Sequence, residues 1–245
     1  MKTISSLLTM LLLTCYAYAA GQTVDYQVNN ADYEGYYTSP SAGAPLVILL
    51  HDWDGLTDYE VKRSEMLAEL GYAVFAADLF GKGVRPTEVV DKKQHTGELY
   101  KDRAKLRALI QGAVDEAKKM GANTGNAVVM GYCFGGAAVL EYARSGADVK
   151  GFVTFHGGLS TPEGQDYSKA KGQVLILHGT ADSAITMTDF AALANEMEAH
   201  GVRHEMISYS GAPHAFTVFG SARYQEEADR KSWQRFVDFL DQTLR

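Results

Sequence analysis

Cysteine is almost missing from this chain: its 245 residues contain two, Cys15 and Cys133. That rules out the multi-disulfide framework on which small secreted domains depend. It also rules out a C-x-x-C pair for thiol exchange. Proline is scarce, with five residues, and no repeat, low-complexity tract or Pro-rich linker divides the chain. No H-E-x-x-H or comparable ligand spacing occurs, so no metal site is expected. No apolar run reaches the roughly 20 residues of a bilayer-spanning helix. Basic charge is in deficit: 23 Lys and Arg stand against 30 Asp and Glu, a formal net charge of −7. Lys101, Arg103, Lys105 and Arg107 are spaced as a solvated helix face. A chain with this balance has no general attraction to nucleic acid or to anionic lipid.

The N-terminus carries a processing pattern instead. Lys2, the apolar stretch from Ile4 to Leu13 and the small residues Ala17-Tyr18-Ala19 match the three regions of a secretory signal peptide. Thr14 precedes Cys15, where a lipoprotein signal would have Gly, Ala or Ser. The expectation is a leader over residues 1–19, no lipid anchor, and a secreted or periplasmic domain over residues 20–245. Cleavage removes Cys15 and leaves Cys133 as the single thiol. An unpaired thiol in an oxidising compartment is a small buried hydrophobe or a reactive group, and its local sequence decides which.

Along residues 20–245, short apolar runs alternate with helical segments. Val24–Val28 and Tyr33–Thr38 have the alternation of an antiparallel pair, and Pro45–Leu50 (PLVILL) is apolar throughout, as in a strand buried on both faces. Further strands are expected at Tyr72–Ala77, Ala127–Met130, Val149–Phe155, Val174–Leu177 and His204–Ser208. Helices are expected at Tyr59–Leu70, Leu99–Met120, Phe134–Ser145, Thr188–His200 and Gln225–Leu244. Between Phe80 and Thr96, glycine, proline and charge suggest a surface excursion, either a pocket mouth or a plain solvated loop. Strand–helix alternation implies an α/β domain with a mostly parallel sheet covered on both faces.

Gly131-Tyr132-Cys133-Phe134-Gly135-Gly136 follows a strand and opens a helix. This is the G-x-S-x-G nucleophile elbow with cysteine in the serine position. A helix N-terminus favours an anion there. A nucleophile on this scaffold needs an acid and then a histidine downstream, each past the end of a strand. Asp182, in His178-Gly179-Thr180-Ala181-Asp182, and His214, in Gly211-Ala212-Pro213-His214-Ala215-Phe216, meet both conditions. Taken singly, Asp182 could be a helix cap and His214 an ordinary loop histidine. For the transition-state oxyanion, the backbone N–H groups of Phe134 and Trp53 are the expected donors. His51, His156 and His178 fall near strand ends, with pocket lining or local hydrogen bonding as their expected use, while Trp53, Tyr132 and Phe134 are expected as pocket walls or ordinary packing.

Five segments, GYCFGG, LHDWDGL, ADLF, HGTAD and GAPHAF, span Pro45 to Phe216 and resemble the dienelactone hydrolase family. The resemblance implies an eight-stranded α/β-hydrolase fold. It also implies hydrolysis of a small ester, lactone or thioester through an acyl-thiol intermediate, with no metal or organic cofactor. In the family's pattern a glutamate interacts with the resting cysteine and gates its ionisation; Asp52, one methylene shorter, stands there. The family also holds a substrate carboxylate with two arginines. Val218 occupies one of those positions, and Arg103 or Arg107 is left to supply the other. Two other classes remain open: a thiol redox or sensor protein, and a binding protein on a hydrolase scaffold. Nothing in the sequence speaks to oligomeric state.

Overall fold

A computed structural model describes residues 19–245. Apart from Ala19, the expected leader lies outside the described residues. The sheet has eight strands: β1 (Ala19–Val28), β2 (Ala31–Ser39), β3 (Pro45–Leu50), β4 (Ala73–Ala77), β5 (Asn123–Tyr132), β6 (Gly151–Phe155), β7 (Gln173–Gly179) and β8 (His204–Tyr209). Their order across the sheet is β1-β2-β4-β3-β5-β6-β7-β8. β1 and β2 form an antiparallel hairpin, β2 joins β4 antiparallel, and every later pairing is parallel.

The continuous apolar runs are explained by burial on both faces. In β3, Leu46, Ile48 and Leu50 belong to one core and Val47 and Leu49 to the other. The first core takes Leu106 and Ile110 from α3 (Arg103–Lys119), Val139 from α4 (Phe134–Arg144) and Leu193 from α5 (Met187–Ala199). The second takes Leu67 from α1 (Asp58–Glu69) and Phe236, Phe239 and Leu240 from α6 (Glu226–Leu244). The result is three layers, the eight-stranded α/β-hydrolase arrangement.

Two expectations need correction between β4 and β5. The stretch from Phe80 to Thr96 is not wholly a loop, because α2 spans Val89–Lys101. Nor is the helix after it continuous from Leu99. Asp102 adopts φ −109°, ψ 76°, outside the helical region, and divides α2 from α3. Its side chain then accepts from the Lys105 N–H at 2.9 Å, capping the new helix. Sequence periodicity did not register the break because an N-cap aspartate keeps the polar pattern of an exposed helical position.

The turn from β5 into α4 is tightly packed. A Cβ on Gly131 would lie 2.4 Å from the Gly135 carbonyl, and one on Gly135 would lie 2.3 Å from the Leu50 carbonyl oxygen. Both collisions are with backbone, so no rotamer relieves them. Gly135→Ala is expected to lower stability by about 1–3 kcal/mol or more in urea denaturation. Gly125→Ala, whose added Cβ meets only Asn123 at 3.6 Å, serves as the control and is expected to change little.

Candidate active site

Four parallel strands end on one edge of the sheet, and the expected site residues follow them. The segment after β3 carries His51, Asp52 and Trp53, Cys133 follows β5, Asp182 follows β7 and His214 follows β8. This is the edge where open α/β sheets gather ligands. The two last loops are stitched to each other. Thr180 N–H donates to the Tyr209 carbonyl at 2.9 Å, and Ala181 N–H to that of Ala212 at 3.0 Å.

Cys133, His214 and Asp182 form one hydrogen-bonded line. His214 Nε2 lies 3.1 Å from Cys133 Sγ, and its Nδ1 lies 2.7 Å from Asp182 Oδ2. The other carboxylate oxygen, Oδ1, accepts the N–H groups of Ala184 and Ile185, each at 2.9 Å. With both oxygens held, Asp182 has a fixed direction. Burial pushes its carboxyl up, but the His214 contact and the two amides prevail and hold it below the usual range. Burial likewise opposes charge on His214. Its bonds to Asp182 and Cys133 overcome this and raise it to about 10. His214 is thereby stabilised as an imidazolium.

The backbone at Cys133 is strained. Cys133 has φ 51° and ψ −111° at the N-terminus of α4, a conformation that costs of order 1–3 kcal/mol for a non-glycine residue. Phe134 is the first residue of α4, where the helix provides no intrahelical acceptor for its N–H. A cavity of about 340 Å³ opens over Cys133 and His214, lined also by Asp52, Trp53, Ser183, Ala215 and Arg223. The Asp52 carboxylate accepts the Asp54 N–H at 2.8 Å, and burial raises it to about 6. Trp53 lies beneath the Lys92 ammonium, 5.3 Å from the ring centroid.

Other expected residues are not at the cavity. His51 and Tyr132 are fully buried and stand behind the lining residues. His51 accepts the Leu79 N–H at Nε2 and donates from Nδ1 to the Asp52 carbonyl, a neutral tie between strand ends; burial lowers it to about 4. Tyr132 packs edge-on against Tyr59. Arg103 and Arg107 both turn to buried Glu141, at 3.7 and 2.6 Å. The arginine that lines the cavity among the described residues is Arg223. It went unpredicted because it follows His214 in an irregular segment with no motif of its own. α2 lies over the aromatic wall: Tyr100 meets Phe134 edge-on, and His95 stacks on Phe80. Among the described residues no cluster of three His, Cys, Asp or Glu side chains is arranged to hold a metal, and no helix is long and apolar enough to cross a membrane.

Residues 33–244 match the model of the dienelactone hydrolase family. Protein usf of Aquifex pyrophilus is 26% identical over 236 residues, covering 91% of this chain and 99% of that protein. A dienelactone hydrolase-like promiscuous phosphotriesterase, P91, from metagenomic libraries superimposes with a TM-score of 0.85 at 28% identity, over 92% of this chain and 98% of its own. A structure named m3DLH gives 0.86 at 29% identity with the same coverage. With an eight-stranded hydrolase sheet, an elbow at residues 131–135 and a family match over nearly all of the described chain, this protein belongs to the dienelactone hydrolase family.

Proposed function

We propose that this hydrolase of the ester and lactone type works through Cys133 as nucleophile, His214 as acid and base, and Asp182 as the carboxylate that orients His214. The observation that carries the reading is the Cys133–His214–Asp182 line at 3.1 and 2.7 Å, opening into a cavity. The Cys133 thiolate attacks the substrate carbonyl carbon, and the carbonyl electron pair moves to oxygen. The N–H groups of Phe134 and Trp53 are the proposed donors to that oxyanion; such a donor is worth about 3 kcal/mol of barrier in other hydrolases. As the tetrahedral species collapses, the C–O bond to the leaving group breaks and the His214 imidazolium gives it a proton. Neutral His214 then takes a proton from water, whose oxygen attacks the acyl-thiol. Collapse releases the carboxylic acid product and returns the thiolate. Asp52, beside the thiol in the same cavity, is proposed to gate its ionisation.

A cavity of about 340 Å³ suits a small acyl ester or lactone. Short-chain p-nitrophenyl esters are expected to turn over, with at least a 10³-fold loss in both Cys133→Ala and His214→Ala. Hydrolysis that survives Cys133→Ala would remove the thiol from the mechanism. Sulfenate formation without ester turnover would favour the redox reading, and ligand binding without either would favour a binding protein.

The raised His214 sets the pH behaviour. Its imidazolium persists through neutrality and is lost as pH rises through about 10, so the alkaline limb of kcat/KM is expected there. Linked stability has the same sign: it is present below the ordinary histidine value and is lost across the alkaline range. Asp182→Asn removes a group that holds the proton on His214 and is expected to move the limb to lower pH. An unmoved limb would mean that another group titrates. Export is also proposed, from the leader pattern over residues 1–19. N-terminal sequencing of the protein recovered from a bacterial periplasm or culture medium is expected to begin at Ala20, and a retained Met1 would refute it.

A further inference from the structure

Among the described residues, five non-glycine positions have positive φ. Asn29 and Asn30 form the β1–β2 turn, a common use of asparagine. The other three are Cys133 at 51°, Ala215 at 62°, next to His214, and His156 at 41°. Strain of this kind persists only where the surroundings over-determine it. Two of the three positions are explained by the nucleophile and its base. His156, at the end of β6, is not.

Its surroundings give it a task. The His156 ring is fully buried and meets the His214 ring edge-on, with centroids 5.3 Å apart, and Phe216 likewise at 5.4 Å. Nε2 of His156 is 2.8 Å from Thr217 Oγ1, which is 2.8 Å from the Tyr59 hydroxyl. Arg63 of α1 donates to that hydroxyl from Nε at 3.3 Å and to the Thr217 carbonyl from Nη2 at 2.9 Å, while pairing with Asp229 of α6. Arginine only donates, so the Tyr59 oxygen is an acceptor here. The Tyr59 and Thr217 hydroxyls continue the line from Arg63 to His156 Nε2. The other ring nitrogen of His156, Nδ1, is buried without a partner.

We propose that His156 and Thr217 are positioning residues for His214, clamping the strained 214–217 loop to the buried Arg63–Asp229 pair and presenting an uncharged ring against the imidazolium. The groups facing His214 are Asp182 and His178 from the β7 end, Cys133 from the elbow, Asp52 from the β3 loop and His156 from β6. Burial, and then the charge on His214, keep His156 well below the ordinary histidine range. It supports the base without competing for its proton.

This inference rests on the proposed roles of Cys133 and His214, and its test separates the two. Thr217→Val removes the hydroxyl and keeps the carbonyl that Arg63 uses; His156→Phe keeps a ring and removes the hydrogen bond; Thr217→Ser restores the hydroxyl. The readouts are kcat and KM for a short p-nitrophenyl ester, the thermal midpoint, and the rate of Cys133 alkylation by iodoacetamide at pH 6 relative to pH 10. Expected are about a tenfold fall in kcat with KM within about twofold, and about a tenfold fall in the alkylation ratio, for Thr217→Val and His156→Phe, with Thr217→Ser near wild type. If the wild type alkylates but hydrolyses no ester, the functional reading fails and the alkylation ratio alone decides the clamp. Unchanged kcat and ratio in folded variants would overturn it. So would losses that follow the thermal midpoint in all three variants, since that marks a purely structural contact.

Discussion

The turn at Cys133 governs the rest of the site. Its backbone, at φ 51°, reverses the chain from strand to helix within one residue and aims the thiol off the sheet edge. That geometry leaves no room for a side chain at Gly131 or Gly135, because the added atoms would strike the backbone of α4 and of the β3 end. The elbow is thus pressed against the loop that carries Asp52 and Trp53, which brings the Cys133 thiol and a candidate oxyanion loop to one cavity. The strain is local, and the close-packed parallel strands on either side, β3 and β6, hold it.

Charge at this edge is distributed by burial and partners rather than by residue type. His51, His156 and His178 are all buried and all held below the ordinary histidine range, with desolvation as the leading cause. His214 is desolvated too, yet it is raised, because a fixed carboxylate and a thiol bond its two nitrogens. Four imidazoles in one region therefore divide into three held below the ordinary histidine range and one raised above it. Asp182 can fix that division because two backbone amides occupy its second oxygen, so the carboxylate cannot rotate away.

Much of this was legible in the chain. The apolar strands, the elbow and the order of Cys133, Asp182 and His214 depend on local pattern and spacing, and both survive without knowledge of neighbours. Other assignments failed for physical reasons. α2 was missed over part of Phe80–Thr96, since Gly81, Gly83 and Pro86 precede it and dominate the local signal. His51 and Tyr132, expected in the pocket lining from their places in the chain, turn into the interior behind it, where His51 makes the local hydrogen bonds that were its other expected use. Arg103 and Arg107 are claimed by Glu141, a partner on α4 that spacing does not reveal.

The sequence by itself determined the α/β class, the family and the order of the three candidate residues, because each is written in short-range periodicity or in a contiguous motif. The tertiary structure decided which groups meet: the 3.1 Å approach of His214 to Cys133, 81 positions away, Arg223 at the cavity, and the clamp from Arg63 to His156. Those contacts join loops from separate strands, and their distances follow from how eight strands stack and twist, a property that no single segment contains.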